Sequence, residues 1–334
     1  MIPTIVIIIP TLNEEYFIGS CLESVYTQTF PSEQMEVLVV DGGSSDRTRY
    51  IVLDWMMSHR NLHLFDNNRK IQAAAFNIGV KNSKSPIVVR MDAHALYPPE
   101  YLEKCVKMLR AYEDAGEVGG IFNIKPSKDT LTAGASAIVN KSCFGTGGAT
   151  YRRGANKVKV DIVPFGAYPR TVLDKIGPMR EDLKRTEDNE YASRIRKAGY
   201  KIYLNPEIVC TYYARDTFMG SVHQMYANGV SIGHLFYVDR SAIGLRHFVP
   251  FVFVMSLLFS GIGGCFWHPL WLVTSLILLL YFAAATIASA LECSKYGWRY
   301  FFVLIALFFS VHISYGWGTL VGLIKYATVK NVYK

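Results

Sequence analysis

Ile87-Val88-Val89-Arg90-Met91-Asp92-Ala93-His94 is the stretch around which the chain is organised. Residues 87–91 form a short β-branched run between Pro86 and the Pro98-Pro99 turn. Such runs read as buried parallel strands. In open α/β sheets, ligands sit beyond the carboxyl ends of the strands, which puts Asp92 where chemistry happens. On an extended chain residues 92 and 94 point to the same side. A carboxylate and an imidazole so placed can share one cation. Hard oxygen with imidazole suits Mn²⁺ or Mg²⁺ that a substrate diphosphate also holds. Asp-x-His is common by chance and takes its weight from the rest of the chain.

Upstream, Thr4 to Ile9 has the character of a central parallel strand and runs into Pro10-Thr11-Leu12-Asn13-Glu14-Glu15. Thr11 or Asn13 can cap the next helix, whose apolar face is Ile18, Cys21, Leu22 and Val25. A second strand, Glu36 to Val40, ends in Asp41-Gly42-Gly43-Ser44-Ser45-Asp46. The paired glycines permit a tight turn and close backbone approach to a ligand. Neither G-x-G-x-x-G nor Gly-Lys-Ser/Thr follows, which argues against a dinucleotide-binding dehydrogenase and a P-loop. Leu62 to Phe65 reads as a third strand. It leads to Asn67-Asn68-Arg69-Lys70 and a helix with Ala73-Ala74-Ala75. Arg69 and Lys70 stand where they can meet a diphosphate, or form a solvated pair.

Downstream, Val118 to Ile124 and Val160 to Phe165 read as strands. The glycine-rich 144–149 stretch, flanked by Arg152 and Arg153, is expected to be a mobile loop near the site. Arg185-Thr186-Glu187-Asp188-Asn189-Glu190 opens a helix that stops at Gly199. Acids there suit the helix dipole, but the cluster exceeds what a cap needs and offers a general base. Lys201 to Tyr213 reads as a short strand pair around Pro206. Asp216 to Tyr237 reads as an amphipathic helix fit for a membrane interface, with His223, Gln224, Asn228 and His234 at polar positions.

Charged residues populate the first 246 of the 334 residues; beyond them the chain is nearly all apolar. Stretches 248–264, 270–291 and 300–324 each approach the length needed to cross a bilayer. The third carries His312 and Tyr315-Gly316-Trp317-Gly318, and a broken or re-entrant helix is expected there. Arg240, Arg246, Lys295 and Arg299 favour a cytoplasmic start and second loop. Three full crossings would place Lys325, Lys330 and Lys334 outside, against the positive-inside rule. The net charge of +8 points to anionic lipid or a phosphorylated substrate. No basic block interleaved with aromatics appears, so nucleic acid is not the expected partner. Six scattered cysteines fit a reducing compartment rather than a zinc or disulfide framework. The 5–9 run is too short, and too bare of basic flank, for a signal peptide. The expected organisation is an α/β domain over 1–213, an amphipathic interfacial helix and linker over 214–246, and a membrane domain over 247–334.

Taken in order, Pro10-Thr11-Leu12-Asn13-Glu14, Val40-Asp41-Gly42-Gly43-Ser44-Ser45-Asp46, the 69–79 stretch, Met91-Asp92-Ala93-His94 and Glu187-Asp188 resemble the membrane-associated, inverting family 2 glycosyltransferases. The resemblance is nearest to the succinoglycan-type exopolysaccharide subgroup. It implies a GT-A fold, Rossmann-like with a mostly parallel sheet. It also implies nucleotide-sugar contacts at Pro10, Thr11, Asn13, Glu14, Asp41, Gly43, Lys70, Gln72, Asn77, Arg90 and Asp92. Asp92 and His94 would hold Mn²⁺ or Mg²⁺, with His94 where the second carboxylate of Asp-x-Asp usually stands. Lys70 stands where relatives often carry Arg. Asp188 would be the catalytic base, with Glu187 in support. The Gln-x-x-Arg-Trp motif of processive synthases is absent: Gln224 is followed by Met225-Tyr226-Ala227. The resemblance therefore implies transfer of one sugar from a UDP-sugar to a lipid-linked, polyprenyl-diphosphate saccharide at the inner (plasma) membrane, with a cytoplasmic catalytic domain. A polyprenyl-phosphate sugar synthase and a catalytically inactive scaffold of the same fold are the alternatives.

Overall fold

The computed structural model describes residues 3–148, 150–153 and 159–328. Its strands are β1 (Ile5–Thr11), β2 (Met35–Asp41), β3 (Leu62–Asp66), β4 (Ile87–Arg90), β5 (Ala95–Leu96), β6 (Ala115–Pro126), β7 (Lys159–Val160), β8 (Ala167–Pro169) and β9 (Lys201–Ala214). Its α-helices before the apolar tail are α1 (Ile18–Tyr26), α2 (Thr48–Ser58), α3 (Gln72–Asn82), α4 (Tyr101–Ala111), α5 (Leu131–Lys141), α6 (Cys143–Thr146), α7 (Thr150–Arg153), α8 (Arg170–Ile176), α9 (Glu187–Lys197) and α10 (Phe218–Val238). The tail contributes α11 (Val249–Gly264), α12 (Pro269–Tyr296) and α13 (Phe301–Ala327).

The chain forms two compact units. The first comprises residues 1–123 and 150–212 and is built on one sheet in the order β3-β2-β1-β4-β8-β6-β9-β5, with β7 paired to β9. Strands β3, β2, β1 and β4 run parallel; β8 pairs antiparallel to β4 and β6, and β5 and β7 pair antiparallel to β9. The parallel strands are covered on both faces, which is why their sequences are unbroken apolar runs. Ile5, Ile7 and Ile9 pack with Ile18, Leu22, Val52 and Leu102 on one face. Val6, Ile8, Leu38 and Val40 pack with Ala73, Ala75, Phe76 and Ile195 on the other. The small residues of α3 let it lie close to the sheet: a Cβ added at Gly79 would stand 2.6 Å from Ile8. Register brings Thr11, Asp41 and Asp66 level at one edge, with Arg90 opposite Ile8 one strand over.

Three local expectations are corrected here. Of the 160–165 stretch only Val160 is strand, as the end of β7; Phe165 turns at φ 51° before β8. Lys201–Ala214 is one continuous strand, with Pro206 inside it rather than dividing it. The helix after β1 begins at Ile18 without a side-chain cap, because Asn13 is used elsewhere.

The second unit comprises residues 124–149 and 213–334. Residues 124–149, assigned above to the 1–213 domain, therefore pack with the tail. Ala135, Ile138 and Val139 of α5 are buried with Leu304, Phe308 and Val311 of α13. Within 144–149, residues 144–146 belong to the helical turn α6, whose Phe144 ring meets Phe308 edge-on at 5.1 Å. Ala149 lies outside the described residues. Three helical segments, Leu245–Gly264, Pro269–Tyr296 and Trp298–Ala327, are long and apolar enough to cross a membrane. The third is unbroken, contrary to expectation. Its glycines serve close approach instead of a break: a Cβ at Gly316 would lie 2.2 Å from the Pro250 carbonyl, and one at Gly318 2.3 Å from that of Tyr226. His234 is buried and stacks on Tyr326 at 3.8 Å, so it is not on the polar face. Lys330 and Lys334 lie outside the described residues.

Candidate active site

The carboxyl ends of β1 and β2 form the first half of the site. Thr11 Oγ1 donates to Asp41 Oδ1 at 3.3 Å. Asp41 also accepts from the Gly43 and Ser44 amides, each at 3.0 Å, and from Arg49 at 2.9 Å. Burial pushes the Asp41 carboxyl up, but the bonds from Ser44, Arg49 and the two amides outweigh it and hold it below the usual carboxylate range. The turn needs a residue with φ of 80° at Gly43, in the left-handed region. Across it, Asn13 Oδ1 accepts from the Ser45 amide at 2.8 Å, and Asp46 Oδ1 caps α2 through the Thr48 amide at 3.0 Å. Asn13 therefore ties the two loops together and is itself at φ 56°. Lys70, exposed and at φ 56°, brings its amine beside Gly43, about 3.8 Å from where a Cβ would stand.

The second half surrounds Asp92. Gln72 Nε2 donates to Asp92 Oδ1 at 2.8 Å, and Arg90 Nε donates to the same oxygen at 3.3 Å. Arg90 is buried, and its NH1 lies 3.9 Å from Glu187 Oε1. Burial pulls the guanidinium down, but the Asp92, Glu187 and Asp188 charges more than restore it. Glu187 is buried and pushed up to about 7, by burial first and then by Asp188. Its neighbour Asp188 is exposed, with Oδ1 accepting from the Asn189 amide at 2.8 Å. Thr186 enters α9 at φ 63°, an uncommon conformation for a β-branched residue.

Residues 92–94 form a turn rather than extended chain, with the Ala95 amide on the Asp92 carbonyl at 3.2 Å. The expected alternation survives as burial: Met91 and Ala93 are inside, Asp92 and His94 half-buried. His94 Nδ1 faces Glu14 Oε1 at 3.3 Å, the arrangement by which a carboxylate orients a ligating imidazole. Among the described residues no group of three or more His, Cys, Asp or Glu side chains is placed to hold a metal. A cation at Asp92 and His94 would have to complete its shell with ligand oxygens or water, which suits Mg²⁺ or Mn²⁺ bound with a diphosphate.

Two sequence expectations are redirected. Asn77 is occupied by the 179–181 segment: its Oδ1 accepts from the Met179 amide at 2.8 Å and its Nδ2 donates to Glu181 at 2.9 Å. It holds a loop rather than a ligand. Arg69 pairs with the same Glu181, leaving Lys70 as the cation at this turn. Pro10 contributes only strand backbone, in register with Val40. Sequence reasoning missed Arg49, whose spacing from Asp41 carries no motif, and the buried pair Glu117 and Tyr168. Tyr168 OH donates to Glu117 at 2.8 Å, and burial pushes that carboxyl up to about 8. A Cβ at Gly166 would stand 2.4 Å from Glu117 Oε1, so the pair requires glycine there. A Glu inside the apolar 115–121 run was the available signal.

Residues 6–177, just over half of the chain, match the family described as Glycosyl transferase family 2. The chain belongs to that family and is a glycosyltransferase. A Methanococcus voltae protein named dolichyl N-acetyl-α-D-glucosaminyl phosphate 3-β-D-2,3-diacetamido-2,3-dideoxy-β-D-glucuronosyltransferase is 27% identical over 96% of this chain and 97% of its own length. Succinoglycan biosynthesis protein ExoA of Rhizobium meliloti is 28% identical over 73% of each chain. Among solved structures, a mannosyltransferase from Pyrobaculum calidifontis, in complex with GDP-mannose and Mn²⁺, superposes with a TM-score of 0.61 at 22% identity, covering 95% of this chain and 88% of that one. The fold is therefore GT-A, and this glycosyltransferase carries it together with C-terminal apolar helices.

Proposed function

We propose that this glycosyltransferase moves one sugar, with inversion, from a UDP-sugar to a lipid-linked saccharide at the membrane surface. The carrying observation is that Gln72, the Arg90–Asp92 strand end and Glu187, drawn from three separate segments, form one hydrogen-bonded and ion-paired cluster at the carboxyl side of the parallel strands. The Thr11–Asp41 pair and its Gly43–Ser44 amides offer a nucleoside-binding edge. Lys70 offers a cation to the diphosphate. Exposed Asp188 is placed to take the proton of an acceptor hydroxyl as that oxygen attacks the anomeric carbon from the face opposite the diphosphate. Buried Glu187, beside Arg90, steadies the α9 terminus on which Asp188 stands. A divalent cation held by Asp92 and His94, Mn²⁺ or Mg²⁺, would offset the charge that develops on the departing diphosphate.

The lipid-linked acceptor is supported by the three long apolar helices and by the Methanococcus relative, which is named for a dolichyl phosphate-linked substrate and spans nearly the whole chain. Arg240, before the first candidate span, and Arg246, at its start, support a catalytic unit on the cytoplasmic side of the plasma membrane. The test is UDP release and product mass from purified full-length protein in nanodiscs, screened against UDP-sugars with a lipid-linked acceptor extract. Transfer that requires a divalent cation and a saccharide-bearing lipid supports the reading. Transfer to polyprenyl phosphate itself, undiminished in Asp188→Asn, would replace it with a polyprenyl-phosphate sugar synthase, whose ionised nucleophile needs no base.

A further inference from the structure

The second unit holds a half-buried guanidinium that has no partner among the described residues. Arg246 lies in the 3₁₀ turn Leu245–Phe248, at the start of the first candidate membrane span. Its stem borders the turn at Gly147, at φ 66°: a Cβ added there would come into ordinary contact with Arg246 Cβ, Cγ and Cδ at 3.5–3.7 Å. The side chain is half-buried. Next to it His247 Nδ1 and Tyr315 OH stand 2.9 Å apart, and the Arg246 charge bears on both groups. Yet among the described residues no carboxylate, carbonyl or hydroxyl pairs with the guanidinium.

The other described lysines and arginines of this unit are either partnered or exposed. Lys141, the other base here that is not exposed, lies over the Tyr296 ring at 5.2 Å. Arg240 lies over Phe236 at 4.3 Å, Arg299 donates to Tyr300 OH at 2.7 Å, and Lys128 pairs with Asp216 at 2.7 Å. A generic positive-inside residue would explain the charge of Arg246 but not its half-burial beside the His247–Tyr315 pair. A half-buried guanidinium with an unsatisfied fork suits a planar or tetrahedral oxyanion. At the polar edge of an apolar helix, the anion on offer is the phosphate of a lipid.

We infer that Arg246, seated on the Gly147 turn and flanked by the His247–Tyr315 pair, is a binding site for the phosphate of an isoprenoid lipid. It rests on the proposed function for the choice of carrier lipid over bilayer phospholipid. The site would hold the acceptor by the group its saccharide is attached to, independently of which sugar it carries. It does not require chemistry at the phosphate.

The test uses full-length protein in phosphatidylcholine nanodiscs, with farnesyl phosphate and farnesol as probes. Expected is tighter binding of farnesyl phosphate than of farnesol, with the preference falling about tenfold or more in Arg246→Gln and partly kept in Arg246→Lys. UDP binding should be unchanged in both variants, which shows that they fold. Equal binding of the two probes by the wild type, or an unaltered preference in Arg246→Gln, overturns the inference. So does complete displacement of farnesyl phosphate by phosphatidylglycerol at matched mole fraction, which would make this a bilayer phospholipid site. Retained phosphate selectivity in a protein that transfers to no lipid-linked saccharide would refute the proposed acceptor and leave the phosphate site standing.

Discussion

Gln72 and Asp92 meet across the mouth of the parallel sheet, Nε2 to Oδ1 at 2.8 Å, and Arg90 approaches the same oxygen at 3.3 Å. Both bonds fall on one oxygen, which leaves Asp92 Oδ2 for the cation or ligand proposed above. Asp92→Asn keeps the shape and removes the charge. It should lower kcat by about a hundredfold or more if the carboxylate serves to stabilise charge on the leaving group. Gln72→Leu frees the carboxylate to rotate and should lower kcat by about tenfold or less, without loss of UDP affinity. Steady-state kinetics with calorimetric UDP binding separates the two.

Glu187 and Asp188 are neighbours in sequence with opposite surroundings, one buried beside Arg90 and one in solvent. Asp188→Asn should cost about 10²–10⁴-fold in sugar transfer and leave UDP binding intact. Glu187→Gln should cost less in transfer, because the amide can still face Arg90. Transfer rates that fall more for Glu187→Gln than for Asp188→Asn would exchange the two roles.

Glu117 makes stability depend on pH. Its carboxyl ordinarily titrates near 4.5 and burial pushes it up to about 8. Between those values the folded protein keeps a proton that the unfolded chain has released. The contribution is therefore full below about 4.5 and is lost as pH rises through about 8, with a slope of about 1.4 kcal/mol per pH unit. Glu187, pushed up to about 7, adds a slope of the same sign. Glu117→Gln should flatten the fall in denaturation midpoint between pH 5.5 and 7.5 without abolishing it. An identical fall in variant and wild type would show that Glu117 does not carry the slope.

In the second unit α10 and α13 approach through glycines. A Cβ at Gly229 would lie 2.1 Å from the Tyr315 carbonyl, and one at Gly322 2.3 Å from that of Val230. Backbone atoms cannot yield as a side-chain end can. Gly229→Ala should therefore destabilise the protein by about 1–3 kcal/mol, read as a lower thermal midpoint in detergent. Gly261→Ala, where the added Cβ meets nothing within 4 Å, is the control.

Much of the architecture was legible because burial on both faces of a parallel strand leaves an unbroken apolar run. Thr4–Ile9, Glu36–Val40 and Leu62–Phe65 match β1, β2 and β3 to within two residues at each end. The second half of the sheet was harder to read. Pro206 looked like a break, yet β9 runs through it, and Val160 to Phe165 looked like a strand, yet Phe165 adopts a positive φ. Glycines in 316–318 looked like an interruption because a sequence does not say whether a missing side chain loosens a helix or admits a neighbour.

Local order along the chain settled which segments are strands or apolar helices, and which acids and amides stand at strand ends, since hydrophobic period and turn chemistry act over a few residues. It could not settle partnership. That Asn77 grips Met179 and Glu181, that Arg49 binds Asp41, that Glu117 hides behind Tyr168 and that Arg246 has no counter-charge among the described residues all depend on which distant segments packing brings together. Hydrogen bonds and charges act over a few ångströms of space, whatever the separation along the chain, and only the folded arrangement supplies those distances.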